Sequence, residues 1–460
     1  MDRLILYLFL IFTAWLIKRD TARRSGISAA LWIPTIWVAL DLSRPTSAWL
    51  GFGGGTDSME GSPLDALIAG LLIIVSYGIL ARRQMSWGSV IRDNWPVFLF
   101  YFYLLVSVLW AESTFVSSKR WFKEFGNIAV LLVILTEVNP LQAFRAVFVR
   151  CTYLMLPLSV IFIRWFPNLG RVYSRHSGEM EATGVTFQKN SLGMTTLVCT
   201  LILIWDWMEW SQPGLPRQKK FDRFLPFAFF TMAGYLLYLC NSKTSLSCLI
   251  LGGSIILAAR VPLLREKVSV LGGYVLMGIV TFFLLDQMFG ITESLVHSMG
   301  RDMTFTGRTD VWREILALNT PPIFGTGFLS FWSDLSYQSR LPDWVVSSAH
   351  NGYLEMYIDG GVVGVSLLVF MLFLLALKMN RQLASRGNYA LVRFAILLVV
   401  IVSNFSESNF GRMSAVGFLF LLAAIDIPTL RRVAPIRARS PKIVESSPGV
   451  VVGSQQENWR

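Results

Sequence analysis

The sequence predicts an all-α integral membrane protein with about 12–13 transmembrane helices and one large periplasmic loop, and three observations carry that prediction. Of its 460 residues 54% are hydrophobic and only 15% charged, with a mean hydropathy of +0.53. That is too much apolar surface for one soluble core of ordinary proportions. The apolar residues fall in blocks of roughly 15–25, the length that crosses a hydrocarbon core of about 30 Å as helix. Finally, the basic residues behind the net charge of +12 cluster in short loops between the blocks, where they set topology; nucleic acid is not the expected partner.

The apolar blocks run at 4–17, 27–40, 64–80, 95–111, 126–138, 147–165, 191–208, 224–240, 246–259, 268–289, 352–377, 389–404 and 413–427. The first is short, follows Asp2 and Arg3 without a cleavage site, and reads as an uncleaved anchor. Loops rich in Lys and Arg stay in the cytoplasm, which assigns Lys18–Arg24, Arg82–Arg92, Arg217–Arg223, Arg260–Lys267 and Lys378–Arg386 to the inside. Residues 1–290 and 351–430 thus form helices with short loops, and 291–350 form the periplasmic loop. Residues 431–460, basic and without an apolar face, form a tail expected to be disordered. Two outer loops, 112–125 and 164–190, are nonetheless basic. They point either to an anionic partner or to pairing with nearby Glu residues. Cys151, Cys199, Cys240 and Cys248 sit singly in apolar surroundings without metal-ligand spacing and read as small buried hydrophobes.

Residues 301–364 concentrate the polar chemistry. No GxxxxGK[ST], HExxH or GxSxG pattern occurs, so catalysis would use a base, fixed cationic donors and an already activated substrate, with no metal or other cofactor. His350, one of three histidines, is the candidate base. It meets the next apolar helix with Ser347 or Ser348 as a plausible N-cap, and a histidine in a first turn faces the dipole end that favours neutral imidazole. A capping or solvated histidine is the alternative. Asn351 and Glu355 stand where they could orient the ring, with Glu355 equally readable as an interfacial charge. Arg301 and Arg308, seven residues apart, suit bidentate phosphate binding or pairing with Asp302 and Asp310. Lys243 is an isolated cation on a very short outer loop. Arg171, Arg175 and Lys189 supply charge to the second basic outer loop, and Gly360, Gly361 and Gly364 suggest close packing.

As an ordered set these residues resemble a family. The run Arg301-Asp302-Met303-Thr304-Phe305-Thr306-Gly307-Arg308-Thr309-Asp310-Val311-Trp312 is followed by Pro322 with Gly325-Thr326-Gly327-Phe328, then Ala349-His350-Asn351-Gly352-Tyr353-Leu354 and Gly360-Gly361-Val362-Val363-Gly364. Together with Gly184-Val185-Thr186-Phe187-Gln188-Lys189-Asn190 and Ser242-Lys243-Thr244, this resembles the O-antigen ligase and O-antigen polymerase superfamily, most of all the exopolysaccharide polymerisation proteins. The resemblance covers about residues 170–370.

That resemblance implies an inner-membrane glycosyltransferase acting on glycans linked to polyprenyl (undecaprenyl) diphosphate, needing neither metal nor nucleotide. It makes His350 the base and assigns the diphosphate to Lys243, Arg308, Arg301 and Arg171 or Arg175, with Asp310 and Lys189 in support. Many family members carry Arg where this chain has Lys243. The implied partners are a lipid-linked donor, a glycan acceptor, the bilayer, a chain-length regulator and export proteins. A polymerase of repeat units is the first expectation, a ligase the nearer rival and a transporter or flippase the farther one.

Overall fold

The computed structural model describes residues 2–24, 26–51, 62–83, 85–173, 178–210, 220–258, 308–342, 344–345, 348–386 and 388–428. The longer helices are α1 (Asp2–Arg23), α2 (Trp32–Asp41), α3 (Pro63–Arg82), α4 (Trp95–Ser107), α5 (Thr114–Leu135), α6 (Pro140–Trp165), α7 (Lys189–Trp210), α8 (Lys220–Cys240), α9 (Lys243–Ala258), α10 (Arg308–Ala317), α11 (Gly352–Arg386), α12 (Asn388–Ser403) and α13 (Ala415–Ala424). Several start as their sequences direct. Ser62 caps α3 ahead of Pro63, Asn139 caps α6 ahead of Pro140, and the Ser414 hydroxyl accepts the Gly417 N–H at 3.0 Å. One short antiparallel hairpin, β1 (Arg171–Tyr173) with β2 (Met180–Ala182), departs from the all-α expectation.

Pro63–Arg82, Pro140–Trp165, Lys189–Trp210, Phe221–Cys240 and Gly352–Leu383 are long and apolar enough to cross a membrane. The pair Trp87–Asp93 and Trp95–Trp110, bent by 95°, adds a sixth if taken as one broken span. The chain is a multi-pass membrane protein. Among the described residues the expected twelve or thirteen spans are not all of full length. The 126–138 block is the apolar half of α5, whose other half carries Lys119, Arg120 and Lys123, so these lie on a helix instead of the expected loop. Ala29–Asp41, Lys243–Ala258, Tyr389–Ser403 and Ala415–Ala424 are apolar but short. The 268–289 block and the 431–460 tail lie outside the described residues.

Helices α6 and α7 are mostly buried and form the centre, while only 22% of the apolar stretch of α3 or α8 is covered, which leaves those helices facing lipid. The four cysteines are buried and free. At one end the helices are locked by ion pairs. Arg24 bridges Asp20 and Asp206, each at 2.9 Å, Asp222 takes Arg19 and Arg23 at 2.6 and 2.7 Å, and Asp426 takes Lys378 and Arg393 at 2.7 Å each. Many of the basic residues expected to set topology are therefore also structural partners.

The opposite end is held by backbone docking. Helix α11 breaks at Gly361 (φ +61°), and the Pro321–Gly327 segment fills the break: Val362 N–H donates to Pro322 O at 2.9 Å, and Thr326 N–H to Ile358 O at 2.8 Å. A Cβ at Gly361 would lie 2.3 Å from the Ile323 carbonyl carbon and oxygen, so both the backbone angle and the close approach require glycine there. The expected close packing at this cluster is observed. Gly361→Ala should lower thermal stability in detergent by at least the roughly 1–3 kcal/mol that such a sparsely populated backbone region costs. A melting temperature equal to that of the wild type would contradict this account of the break.

Candidate functional site

The described loop residues 308–350 fold over their own small apolar core of Ile315, Phe331, Trp332, Leu341, Val345, Ala349 and Ile358. Beneath this core one carboxylate organises the turn that carries His350. Glu355 is 1% exposed, and its oxygens accept from Ala349 N–H at 2.7 Å, Ser348 Oγ at 3.2 Å and Trp332 Nε1 at 2.9 Å, while Arg412 forms a salt bridge to it. Glu355 is thus a buried hub, and the reading as an interfacial charge is corrected. Trp312 Nε1 donates to Ala349 O at 2.8 Å, clamping the same turn from α10.

The expected cap also moves. Asn351, in place of Ser347 or Ser348, caps α11, its Oδ1 accepting from Tyr353 and Leu354 N–H at 3.0 and 3.1 Å. Asn351 is therefore spent on the helix and does not orient the imidazole. His350 stands before the cap, outside the first turn, with φ +48°, a conformation uncommon for a residue with a Cβ. Ser348 Oγ accepts its N–H at 3.1 Å, and its Nδ1 faces Glu407 Oε2 at 3.8 Å. Backbone strain of this kind persists only where surrounding contacts over-determine it, as the Glu355, Trp312 and Ser348 bonds do here.

Glu407 is where separate parts of the chain meet. Arg308 Nη2 lies 3.5 Å from Glu407 Oε1, and its Nη1 donates to Ser406 O. Glu407 is a carboxylate partner that the sequence reading did not name; Asp302, one of the two expected, lies outside the described residues. The Thr244 and Ser406 hydroxyls are 2.7 Å apart, which ties the start of α9, and with it Lys243, to the same loop. Gly352 N–H donates to Asn404 O and Glu407 O at 2.8 and 3.0 Å. His350, Arg308 and Lys243 are thus brought together by residues 404–412.

Of the remaining candidates, Asp310, Lys189 and Arg171 have described partners of their own. Asp310 pairs with Arg313 at 3.1 Å on the exposed face of α10. Lys189 pairs with Glu181 at 2.6 Å, and Arg171 Nε donates to Ile163 O at 2.7 Å, so both serve the hairpin. Arg175 and Arg301 lie outside the described residues. Arg120 donates to Leu329 O and to Ser333 Oγ, the latter at 2.8 Å. Burial draws its guanidinium below the ordinary value, opposed by Asp359 and reinforced by Arg412.

Glu407 and Arg412 escaped the sequence reading. The signal was the run Asn404-Phe405-Ser406-Glu407-Ser408-Asn409, polar residues between two apolar blocks. Among the described residues no three His, Cys, Asp or Glu side chains gather as a metal site would require. A cavity of about 320 Å³ borders Glu407 on the side of α2 and α7.

Residues 227–369 match the O-antigen ligase family. The match takes in Lys243, Arg308, His350 and Glu355, and begins later than the expected 170. The chain is also similar to the exopolysaccharide production protein ExoQ of Rhizobium meliloti (strain 1021), 23% identical over 391 residues that cover 79% of this chain and 85% of ExoQ. No solved structure matches the chain. Resemblance to O-antigen ligase family proteins and to ExoQ associates this membrane protein with polysaccharide assembly.

Removing the hub should release the turn. Glu355→Ala leaves Ala349 N–H and Trp332 Nε1 unpaired and Arg412 uncompensated, with each orphaned buried group costing about 1–3 kcal/mol. Amide exchange at Ala349 and His350 should accelerate at least tenfold. Unchanged exchange at these amides would remove Glu355 from its organising position.

Proposed function

We propose that the protein is a glycosyltransferase that polymerises polyprenyl-diphosphate-linked repeat units into a bacterial surface polysaccharide at the periplasmic face of the inner membrane. The observation that carries this reading is the convergence of His350, Arg308 and the Lys243 turn on the 404–412 loop. A base and cationic groups are the equipment that an activated donor demands.

The reaction is direct displacement. An acceptor hydroxyl attacks the anomeric carbon and gives its proton to His350, while the anomeric C–O bond breaks and the lipid diphosphate leaves with its electron pair, inverting the configuration. Because Nδ1 faces Glu407, Nε2 is the nitrogen turned away and offered to the hydroxyl. Glu407 orients the imidazole and stabilises its protonated form, the supporting part first expected of Asn351 or Glu355. Lys243 and Arg308 add positive charge for the departing diphosphate. Lys243 offers a point charge instead of a bidentate fork. Neither a metal nor a nucleotide is required when the substrate carries its own leaving group.

The similarity to ExoQ along most of the chain supports polymerisation, and the ligase description of the family segment supplies the rival reading, transfer of finished glycan to another acceptor. A deletion strain complemented with wild type, His350→Ala or Arg308→Ala separates the two. At equal membrane abundance each variant should lose about 100- to 1,000-fold in rate, leaving single repeat units on the lipid carrier. Long chains stranded on the carrier would make the protein a ligase. Full polymer yield from His350→Ala would remove that residue from the chemistry.

A further inference from the structure

The cavity beside Glu407 holds an unanswered polar group. Its walls come from separate stretches of the chain: Asp41 and Ser43 after α2, Phe187, Gln188 and Ser191 at the head of α7, and Glu407 with Asn409. Asp41 Oδ2 is shielded from solvent and has no hydrogen-bond partner among the described residues. A buried acceptor in that condition has lost water and gained nothing in exchange. A cation, Lys123, acts on Asp41, and it lines an adjoining cavity of about 200 Å³ that is otherwise largely apolar, with Leu40, Ile68 and Leu72 in its wall.

The lining chemistry selects the ligand. Two carboxylates, an amide at each of Gln188 and Asn409, and hydroxyls at Ser43 and Ser191 face one space, and no Lys or Arg is among its described lining residues. Such a lining repels a phosphate and accepts hydrogen bonds from a neutral ligand rich in hydroxyls. Its volume of about 320 Å³ is that of a small-molecule site, and Phe187 offers an apolar surface for the C–H face of a ring. Glu407 belongs both to this wall and to the His350 contact, which sets the cavity beside the proposed base.

We propose that this cavity receives a sugar ring of the acceptor glycan, and that Asp41 Oδ2 accepts a hydrogen bond from one of its hydroxyls. The inference rests on the glycosyltransferase reading and adds the place of the acceptor. Asp41 is a specificity residue that touches substrate, and the diphosphate is held elsewhere, on the cationic side of Glu407.

The test uses the full chain in lipid nanodiscs, with the oligosaccharide repeat unit released from the strain's own lipid carrier as probe, and measures binding by calorimetry. Wild type and His350→Ala should bind it alike. Asp41→Asn, which keeps the shape but replaces one acceptor oxygen by an amide, should bind at least about tenfold more weakly. Ser191→Trp, which sets an indole in the α7 wall of the cavity and leaves Asp41 itself unchanged, should abolish binding and guards against an Asp41 variant that fails to fold. Wild-type affinity in both Asp41→Asn and Ser191→Trp would overturn the proposal, as would absence of binding to the wild type. These failures are distinct from failure of the glycosyltransferase reading itself, which would appear as unaltered polymer in the deletion strain.

Discussion

A single buried carboxylate, Glu355, holds the working end of this protein together. Desolvating a charge is expensive unless every lone pair finds a donor, and Glu355 finds donors from four directions: the Ser348–Ala349 turn, Trp332 of the small loop core, Arg412 of the 404–412 loop and the Ser408 hydroxyl. The donors lie on three stretches of chain, the turn before α11, the loop core and the 404–412 loop, so the ion fixes their relative positions in a way that apolar packing alone would not. The strained His350 backbone depends on that arrangement. With the preceding residue clamped by Glu355 and Trp312, the imidazole is delivered to Glu407 from outside the helix.

The two ends of the bundle are built differently, and the difference suits their tasks. One end is crowded with ion pairs that join α1, α7, α8, α11 and α12 at 2.6–2.9 Å, with Arg24 wholly enclosed. The other end mixes close pairs, Arg412 with Glu355 and Lys189 with Glu181, with the longer contacts of 3.5 and 3.8 Å that Arg308 and His350 make to Glu407. The close pairs there fix the turn and the hairpin, and the longer ones meet where His350 stands.

Much of this was legible in the sequence, and what was not has physical reasons. The apolar blocks announced α3, α6, α7, α8 and α11 because a lipid-facing or buried helix must be apolar over its length. His350 and Lys243 stood out as polar groups at the rim of such blocks, and Arg308 as a cation in the polar loop. Glu355 was legible as a residue but not as a role, since Trp332, Ser408 and Arg412 reach it from elsewhere in the chain. Asn351 and Ser348 were assigned the wrong places because α11 begins three to four residues later than a Ser347 or Ser348 cap implies, and local sequence offered serine and asparagine alike. The polar run at 404–409 was short and looked like a connection, so Glu407, whose importance comes only from what folds onto it, stayed hidden.

The composition of the site by origin has a consequence of its own. Lys243, Arg308, His350 and Glu355 all fall within the 227–369 stretch, while Glu407 and Arg412 follow it and Asp41 and Gln188 precede it. In the reading argued above, the cationic and basic groups serve the part of the substrate that any lipid diphosphate donor shares. The walls of the adjoining cavity serve the part that differs from one glycan to another. Glu407 belongs to both, touching the imidazole on one side and the cavity on the other. An acceptor seated in that cavity would therefore be sensed by the same carboxylate that orients the base, so that recognition of the sugar and readiness to accept its proton are coupled through one side chain. Such an arrangement needs no long-range conformational change: it follows from placing a single shared acid between the two halves of the site.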